Sequence, residues 1–288
     1  MSLTNKIDFA VIFRVRNANP NGDPLNGNRP RTTYNGLGEL SDVCIKRKIR
    51  NRLMEAKQRI FVQSDDNKDD EHGSLRLRAD ATLSGIKPQK EIIKKACETW
   101  LDVRAFGQLF AFKGKGGKKG KAKESEEASD DNSVSIGIRG PVSVQSAFSL
   151  SPVDITSLQI TKSVSGEGDG TKRGSDTMGM KHRVDRGTYV FFGSMNPQLA
   201  VKTGFSDKDA LLIKGVLPRL FENDASSARP DGSMEVLKVV WWAHSSGSGQ
   251  YSSAKVHRSL KVTDTDDLGK LISFDDLSDL KPEVISGI

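Results

Sequence analysis

Cysteine is nearly absent from this sequence. Cys44 and Cys97 are its 2 cysteines, too few for a disulfide framework or a cysteine-based zinc site, and each reads as a reduced thiol in a helical stretch where a small buried hydrophobe fits. Histidine is scarce too: the 4 histidines, His72, His182, His244 and His257, show neither H-E-x-x-H spacing nor a neighbouring nucleophile motif, so no metal site and no catalytic histidine is expected. No apolar run approaches the length of a bilayer span, and the first residues lack the apolar stretch of a secretion signal; a cytoplasmic protein with no membrane partner is the expectation. Also missing are G-x-S-x-G, a G-x-G-x-x-G after a strand, and paired carboxylates that can be placed across a cleft. No catalytic residue and no cofactor is assigned.

What is present sets the scale and the sign. The chain has 288 residues, 35% hydrophobic and 28% charged, enough for one large domain with insertions or for two domains. A formal net charge of +7 suits a polyanionic partner, because each neutralised phosphate releases counterions.

Residues 7–54 organise the rest. Over 7–16 the alternation puts Ile7, Phe9, Val11, Phe13 and Val15 on one face of a half-buried strand, with Asp8, Arg14 and Arg16 on an open side. The polar loop 17–31 is rich in Gly, Pro and Asn, which accept turn geometry and leave backbone N–H groups available to an anion. A helix then starts at Ser41-Asp42, burying Ile45, Ile49, Leu53 and Ala56 and leaving Lys46, Arg47, Arg50 and Lys57 mostly on other faces. Arginines at a strand end, an amide-rich loop and a basic helix together make a phosphate-binding corner.

Further on, 63–73 is an acidic surface loop, 75–83 reads as a short strand, and Pro88 opens a helix through Ile92, Ile93, Ala96 and Trp100. The Lys/Gly run 113–123 resembles a phosphate loop only superficially: it lacks the G-x-x-x-x-G-K-[ST] spacing, and acidic residues follow it, so 113–133 reads as a flexible, self-neutralising surface loop. Val142, Val144 and Phe148 against Ser143 and Gln145 read as one core strand. Residues 151–186 have little periodicity and are too long for an idle connection, which makes them a projecting functional loop. Two more strands, 187–195 and 234–243, flank a helix beginning at Ser206 and running to Phe221, with Pro218 placed to kink it. With insertions set aside, the order strand, helix, strand, strand, helix, strand predicts an α+β chain of the split βαβ kind, ferredoxin-like or RNA-recognition-like. Asp23 is the one acid worth naming for chemistry; an Asx turn before Pro24 is the favoured reading over a catalytic role.

Several segments together then resemble one family: Asn19-Pro20-Asn21-Gly22-Asp23-Pro24, the helix around Ile45-Lys46-Arg47-Lys48-Ile49-Arg50, Val103-Arg104-Ala105-Phe106-Gly107, Gly137-Ile138-Arg139-Gly140-Pro141-Val142, Thr177-Met178-Gly179, Asn223-Asp224-Ala225 through Arg229-Pro230, and Ser253-Ala254-Lys255-Val256-His257. They look like the backbone subunit of the type I-C CRISPR interference complex (Cascade), the Cas seven family of the RAMP superfamily, across nearly the whole chain. The resemblance implies a right-hand-like, non-enzymatic subunit. Its modified RNA-recognition-type palm would use residues 1–56, 102–150 and 187–288, with a finger insertion at 57–101 and a long thumb loop at 151–186. The implied partners are the CRISPR guide RNA, further copies of the chain in a helical filament, other subunits of the complex, target DNA paired to the guide, and indirectly a recruited nuclease-helicase. The guide contacts carried over are Arg16, Asn17, Asn21, Arg31, Lys46, Arg47, Arg50, Arg139 and Arg229, with Thr161, Lys162, Met178, Met180 and Lys181 in the thumb. Two other readings stay open at this point: a metal-dependent RNA-cleaving subunit using Asp23, and a general single-strand RNA-binding protein.

Overall fold

The first strand forms as β1 (Ile7–Ala18). In the computed structural model, which describes residues 1–112, 134–162 and 178–288, it is a central strand with both faces covered. A small hairpin follows, β2 (Gly22–Asp23) and β3 (Arg29–Pro30), joined through a 3-10 turn at Pro24–Asn26. Then come β4 (Leu37–Leu40) and helix α1 (Asp42–Glu55). Ser41 Oγ accepts from the Cys44 N–H at 3.4 Å and Asp42 occupies the first turn, so capping and the helix dipole fix the start as expected. Helices α2 (Leu75–Leu83), α3 (Gln89–Thr99) and α4 (Leu101–Phe106) lead into the hairpin β5 (Gly107–Phe112) and β6 (Val134–Arg139). Next are β7 (Val142–Val144), β8 (Ala147–Pro152), β9 (Ile155–Thr161) and the 18-residue β10 (Met178–Met195). The remainder is α5 (Pro197–Thr203), α6 (Asp207–Val216), β11 (Met234–Ala243), α7 (Ser253–Ser259), β12 (Leu260–Val262), β13 (Ile272–Phe274) and β14 (Glu283–Ser286).

One antiparallel sheet carries the order β14-β11-β1-β10-β8-β4, with β7 and β9 also pairing β10. Ile7 lies opposite Met195 on one side of β1 and opposite Ala243 on the other. On the first face Phe9, Val11, Phe13 and Val15 pack with Ile45, Ile49 and Leu53 of α1 and with Ala210 and Ile213 of α6. Gly193 is required here, because a Cβ at that position would run into the Phe9 ring. On the second face Ala10, Ile12, Leu237, Val240 and Trp242 are covered by Val256, Leu260, Leu271, Leu277 and Leu280 of the C-terminal segment. A third cluster, with Phe61, Ala79, Ala96, Trp100, Phe110 and Ile138, holds α2 and α3 to the β5–β6 hairpin.

The second face carries one buried acid. Asp8 is 0% exposed; its Oδ2 lies 2.9 Å from His244 Nε2 and 3.2 Å from Lys6 Nζ, and its Oδ1 lies 3.5 Å from His257 Nε2. Burial pushes the carboxyl up, but the hydrogen bond from His244, the nearby polar groups of His257 and Ser253 and the charge of Lys6 outweigh it and hold Asp8 well below the usual carboxylate range.

Several expectations are corrected. The second face is not open: the C-terminal layer covers it, and Arg14 is 4% exposed. Residues 75–83 are helical, because Ser74 Oγ caps the Leu77 N–H and the buried positions are Arg78, Ala79 and Leu83, not the alternating leucines. Ala56 is exposed beyond the end of α1. The expected 142–148 strand breaks between β7 and β8, which puts Ala147 inside and leaves Phe148 40% exposed. Helix α6 ends at Val216, and a 3-10 turn, Leu217–Arg219, takes up Pro218. The Lys/Gly and acidic run at 113–133 lies outside the described residues. Cys97 is a buried thiol, pushed up to about 11 by burial, and Cys44 is half-buried and likewise raised by burial; both are free.

Candidate nucleic-acid interface

The loop after β1 is held by its own asparagines. Asn17 is exposed with φ 52°, a left-handed conformation Asn tolerates better than most residues. Asn19 is buried and donates from Nδ2 to the Asn28 carbonyl at 2.7 Å. Asn21 Oδ1 accepts from both the N–H and the Oγ of Ser41, at 3.0 and 2.8 Å, so it braces the N-cap of α1. Against this loop sits the 224–230 segment: the Asn19 N–H donates to the Ala228 carbonyl, and Arg229 Nε donates to Asp224 Oδ2 at 3.1 Å. Lys48, 3% exposed, pairs with the same Asp224 carboxylate, and burial lowers its pKa while Asp224 opposes that shift. Its ammonium also lies 5.5 Å from the Phe221 ring centroid. The strand end, the loop, the start of α1 and the 224–230 segment therefore meet in one corner. Lys48 and Asp224 are the members that sequence reasoning left unassigned; the i, i+3 step from Ile45 to Lys48 places Lys48 on the inner face of α1.

The remaining predicted cations differ in how they are held. Lys46 pairs with Asp42 one turn back at 3.0 Å, and Arg47 with Asp66 at 2.9 Å, both sides of the Arg47 pair being more than half exposed. Arg31 reaches Asp23 at 3.4 Å. Arg50 points inward, 11% exposed: its Nε donates to Asp102 Oδ2 at 2.9 Å and its guanidinium lies 5.2 Å from the Phe106 ring centroid. Asp102 also accepts the Phe61 and Val62 N–H groups at 2.7 and 3.0 Å, so Arg50 braces α1 against α4. Arg139 is exposed at the end of β6, on a two-stranded sheet separate from the corner. Asp23 does what an Asx residue does before proline: its Oδ1 accepts the Leu25 N–H at 3.2 Å and caps the 3-10 turn. No group of three or more His, Cys, Asp or Glu suited to a metal ion occurs among the described residues.

The 151–186 segment is not a loop throughout. β9 pairs with the first part of β10, Met178 opposite Thr161 and Met180 opposite Gln159, in a hairpin whose connection, 163–177, lies outside the described residues. Met178 and Met180 are 66% and 57% exposed on one face, and Leu158 and Ile160 are 43% and 49% exposed on the other. Lys162 is exposed beyond Thr161, and Lys181, opposite Leu158, is half-buried. The hairpin is tied to the corner by Arg29, which donates to Ser157 Oγ at 3.0 Å.

Arg16, at the far end of β1, belongs to a different group. It lies opposite Arg186 in register. Arg14, Arg16 and Arg186 all donate to a single oxygen, Asp266 Oδ1, at 2.8, 3.2 and 3.2 Å. Arg14 also donates to the Thr265 carbonyl at 2.6 Å, and Thr188 Oγ1 donates to Asp264 at 2.7 Å.

The structure thus sets, at one end of an antiparallel sheet covered on both faces, a corner of paired cations with an exposed hairpin beside it. Comparison with known proteins supplies the family: a model described as CRISPR-associated protein Cas7 matches residues 5–281, so the chain belongs to the Cas7 family. A CRISPR-associated protein Cas7 from Haloferax volcanii is 26% identical over 250 residues, covering 83% of this chain and 71% of that protein. Two solved structures are also similar. A chain of a CRISPR RNA-guided surveillance complex in a pre-nicking state has TM-score 0.46 and 16% identity, over 82% of this chain and 75% of that one. A chain of a CRISPR RNA-guided surveillance complex has TM-score 0.44 and 15% identity, over 92% and 78%. No helix among the described residues is long and apolar enough to cross a membrane.

Proposed function

We propose that this chain is a non-catalytic, guide-RNA-binding backbone subunit that polymerises along the guide in a type I-C CRISPR interference complex. The observation that carries the reading is the family match over residues 5–281. The strand order β11-β1-β10-β8, with α1 and α6 on one face, fits a split βαβ palm. In this reading the 57–101 insertion is a finger and the β9–β10 hairpin is the thumb; the β5–β6 hairpin, which the resemblance put in the palm, packs on α2 and α3 and is assigned here to the finger. Guide phosphates lie along Asn17, which is exposed in the loop, and along Arg31, Lys46, Arg47 and Arg229, whose partners are carboxylates at the surface or at the corner itself, which a phosphate can replace. Asn21 and Arg50 act beneath them, one capping α1 and the other anchoring it. Met178, Met180 and Thr161 share one face of the thumb hairpin and Lys181 lies on the other; with Lys162 beyond the strand end, they contact the next copy on the RNA. Target sequence is read by pairing between guide and DNA, the protein reading backbone and shape; other subunits complete the particle and a recruited nuclease-helicase acts on the target. Asp23 caps the 3-10 turn through Oδ1, which supports the non-catalytic reading over the RNA-cleaving one.

The test is purification with and without a co-expressed CRISPR array, read by the ratio of absorbance at 260 and 280 nm and by size-exclusion volume. RNA of one defined length in a large particle is expected. A protein-only monomer under both conditions would overturn the proposal.

A further inference from the structure

Three guanidinium groups converge on one carboxylate oxygen at the end of β1. Arg14 approaches from beneath, 4% exposed, while Arg16, Arg186 and Asp266 are 52%, 46% and 69% exposed. Asp264 stands 3.6 Å from Arg186, and Glu235 lies opposite Arg14 in the β1–β11 register, so the carboxylates around the cluster match the arginines in number. It is the geometry that is unbalanced: one oxygen of Asp266 accepts from all three arginines, and Nε of Arg14 is buried without a hydrogen-bond partner among the described residues. A buried guanidinium with an unfilled donor is costly, and a phosphodiester, with two non-bridging oxygens, satisfies a planar donor fork better than one carboxylate oxygen. Asp266 arrives on a short turn rather than on a rigid element: the Asp267 N–H donates to Thr265 Oγ1, the Gly269 N–H to Asp267 Oδ1, and the Thr263 N–H to the Leu271 carbonyl.

We propose that Arg14, Arg16 and Arg186 form a nucleic-acid phosphate site on the second face of the sheet, and that Asp266 occupies it as a built-in competitor in the RNA-free chain. The site lies apart from the α1 corner and rests on the guide-RNA reading for the identity of its ligand. The exposed ion pairs of Asp266 contribute little each and are screened by salt, so a polyanion can replace them. The turn then lifts away while the apolar C-terminal layer beneath it, Leu271, Leu277 and Leu280, stays in place. Such a competitor weakens binding of stray single strands and yields to a strand held by many other contacts.

The full RNA-free chain is titrated with single-stranded oligouridylate and with its deoxythymidylate counterpart, as wild type, Asp266→Asn and Asp276→Asn. The last removes the same unit of charge from an exposed residue of the same segment. Asp266→Asn is expected to bind about fivefold tighter than wild type at low salt, with a salt slope steeper by about 0.7 for each phosphate gained, and Asp276→Asn is expected to bind close to wild type. Adding Arg16→Ala and Arg186→Ala to Asp266→Asn should remove the gain. Equal affinities for the two Asn variants, or a gain that survives loss of the arginines, would overturn the proposal. A gain on RNA alone assigns the site to the guide, and an equal gain on DNA assigns it to phosphates of either strand. Hydrogen exchange of wild type keeps the test open if a variant fails to fold: amides of 263–270 should exchange faster on RNA binding, and unchanged exchange would count against the competitor. Because only the difference between the Asn variants bears on Asp266, its failure leaves the array co-purification result standing.

Discussion

The two ends of β1 invert each other. Near its start a single acid, Asp8, is fully buried among Lys6, His244 and His257; at its far end the exposed Asp266, with Asp264 beside it, lies among three arginines. The bonds are of similar length, yet burial makes them different in kind. Removing a partner from the first leaves a charge in a place water cannot reach, while the second can exchange its carboxylate for another anion at small cost. The same contrast runs along α1, where Lys48 and Arg50 are committed inward and Lys46 and Arg47 are held only by surface carboxylates.

Asp8→Asn should carry the largest effect, a loss of about 3–5 kcal/mol in chemical denaturation, because Lys6 and two histidines lose the carboxylate they share. Arg50→Ala should cost about 2 kcal/mol through the uncompensated Asp102, whereas Lys46→Ala with Arg47→Ala should fold normally and flatten the salt dependence of RNA binding by about 0.7 per lost phosphate contact. Wild-type stability for Arg50→Ala, or an unchanged slope for the double variant, would erase the contrast along α1. The pH dependence sharpens it further. Asp8 is held below its ordinary value of 3.8 in the folded chain, so its contribution is complete above that value and is lost as pH falls toward the folded one. Wild type should therefore lose stability below about pH 4 more steeply than Asp8→Asn in acid denaturation. Smallest is Asp23→Ala, about 0.5–1 kcal/mol for a lost cap, measured as a slight shift of the denaturation midpoint with no change in RNA integrity.

The sequence carried β1, the capped start of α1, the Pro88 helix start and β11, because each combines a clear period with a definite punctuating residue. It misled where period and burial part company. Leu75 and Leu77 alternate like a strand but are exposed on a helix, 39% and 54%. Residues 155–161 and 178–183 lack a pattern because both faces of their hairpin are largely exposed, leaving no core to impose one. In the candidate interface, the polar loop and the capped basic helix beside it were legible from composition and period, whereas Asn17 and Asn21 were singled out only by the resemblance. Lys48, Asp224 and the Arg186–Asp266 pairing were not legible, since each rests on a contact between residues far apart in the chain. The open second face was misjudged for the same reason: its cover, residues 256–280, arrives last.

The central claim is that copies of this chain load along one guide, and native mass spectrometry of particles on guides of two lengths tests it most directly. The mass should rise with RNA length in steps of one whole chain. A single copy on both RNAs, whatever their length, would contradict it.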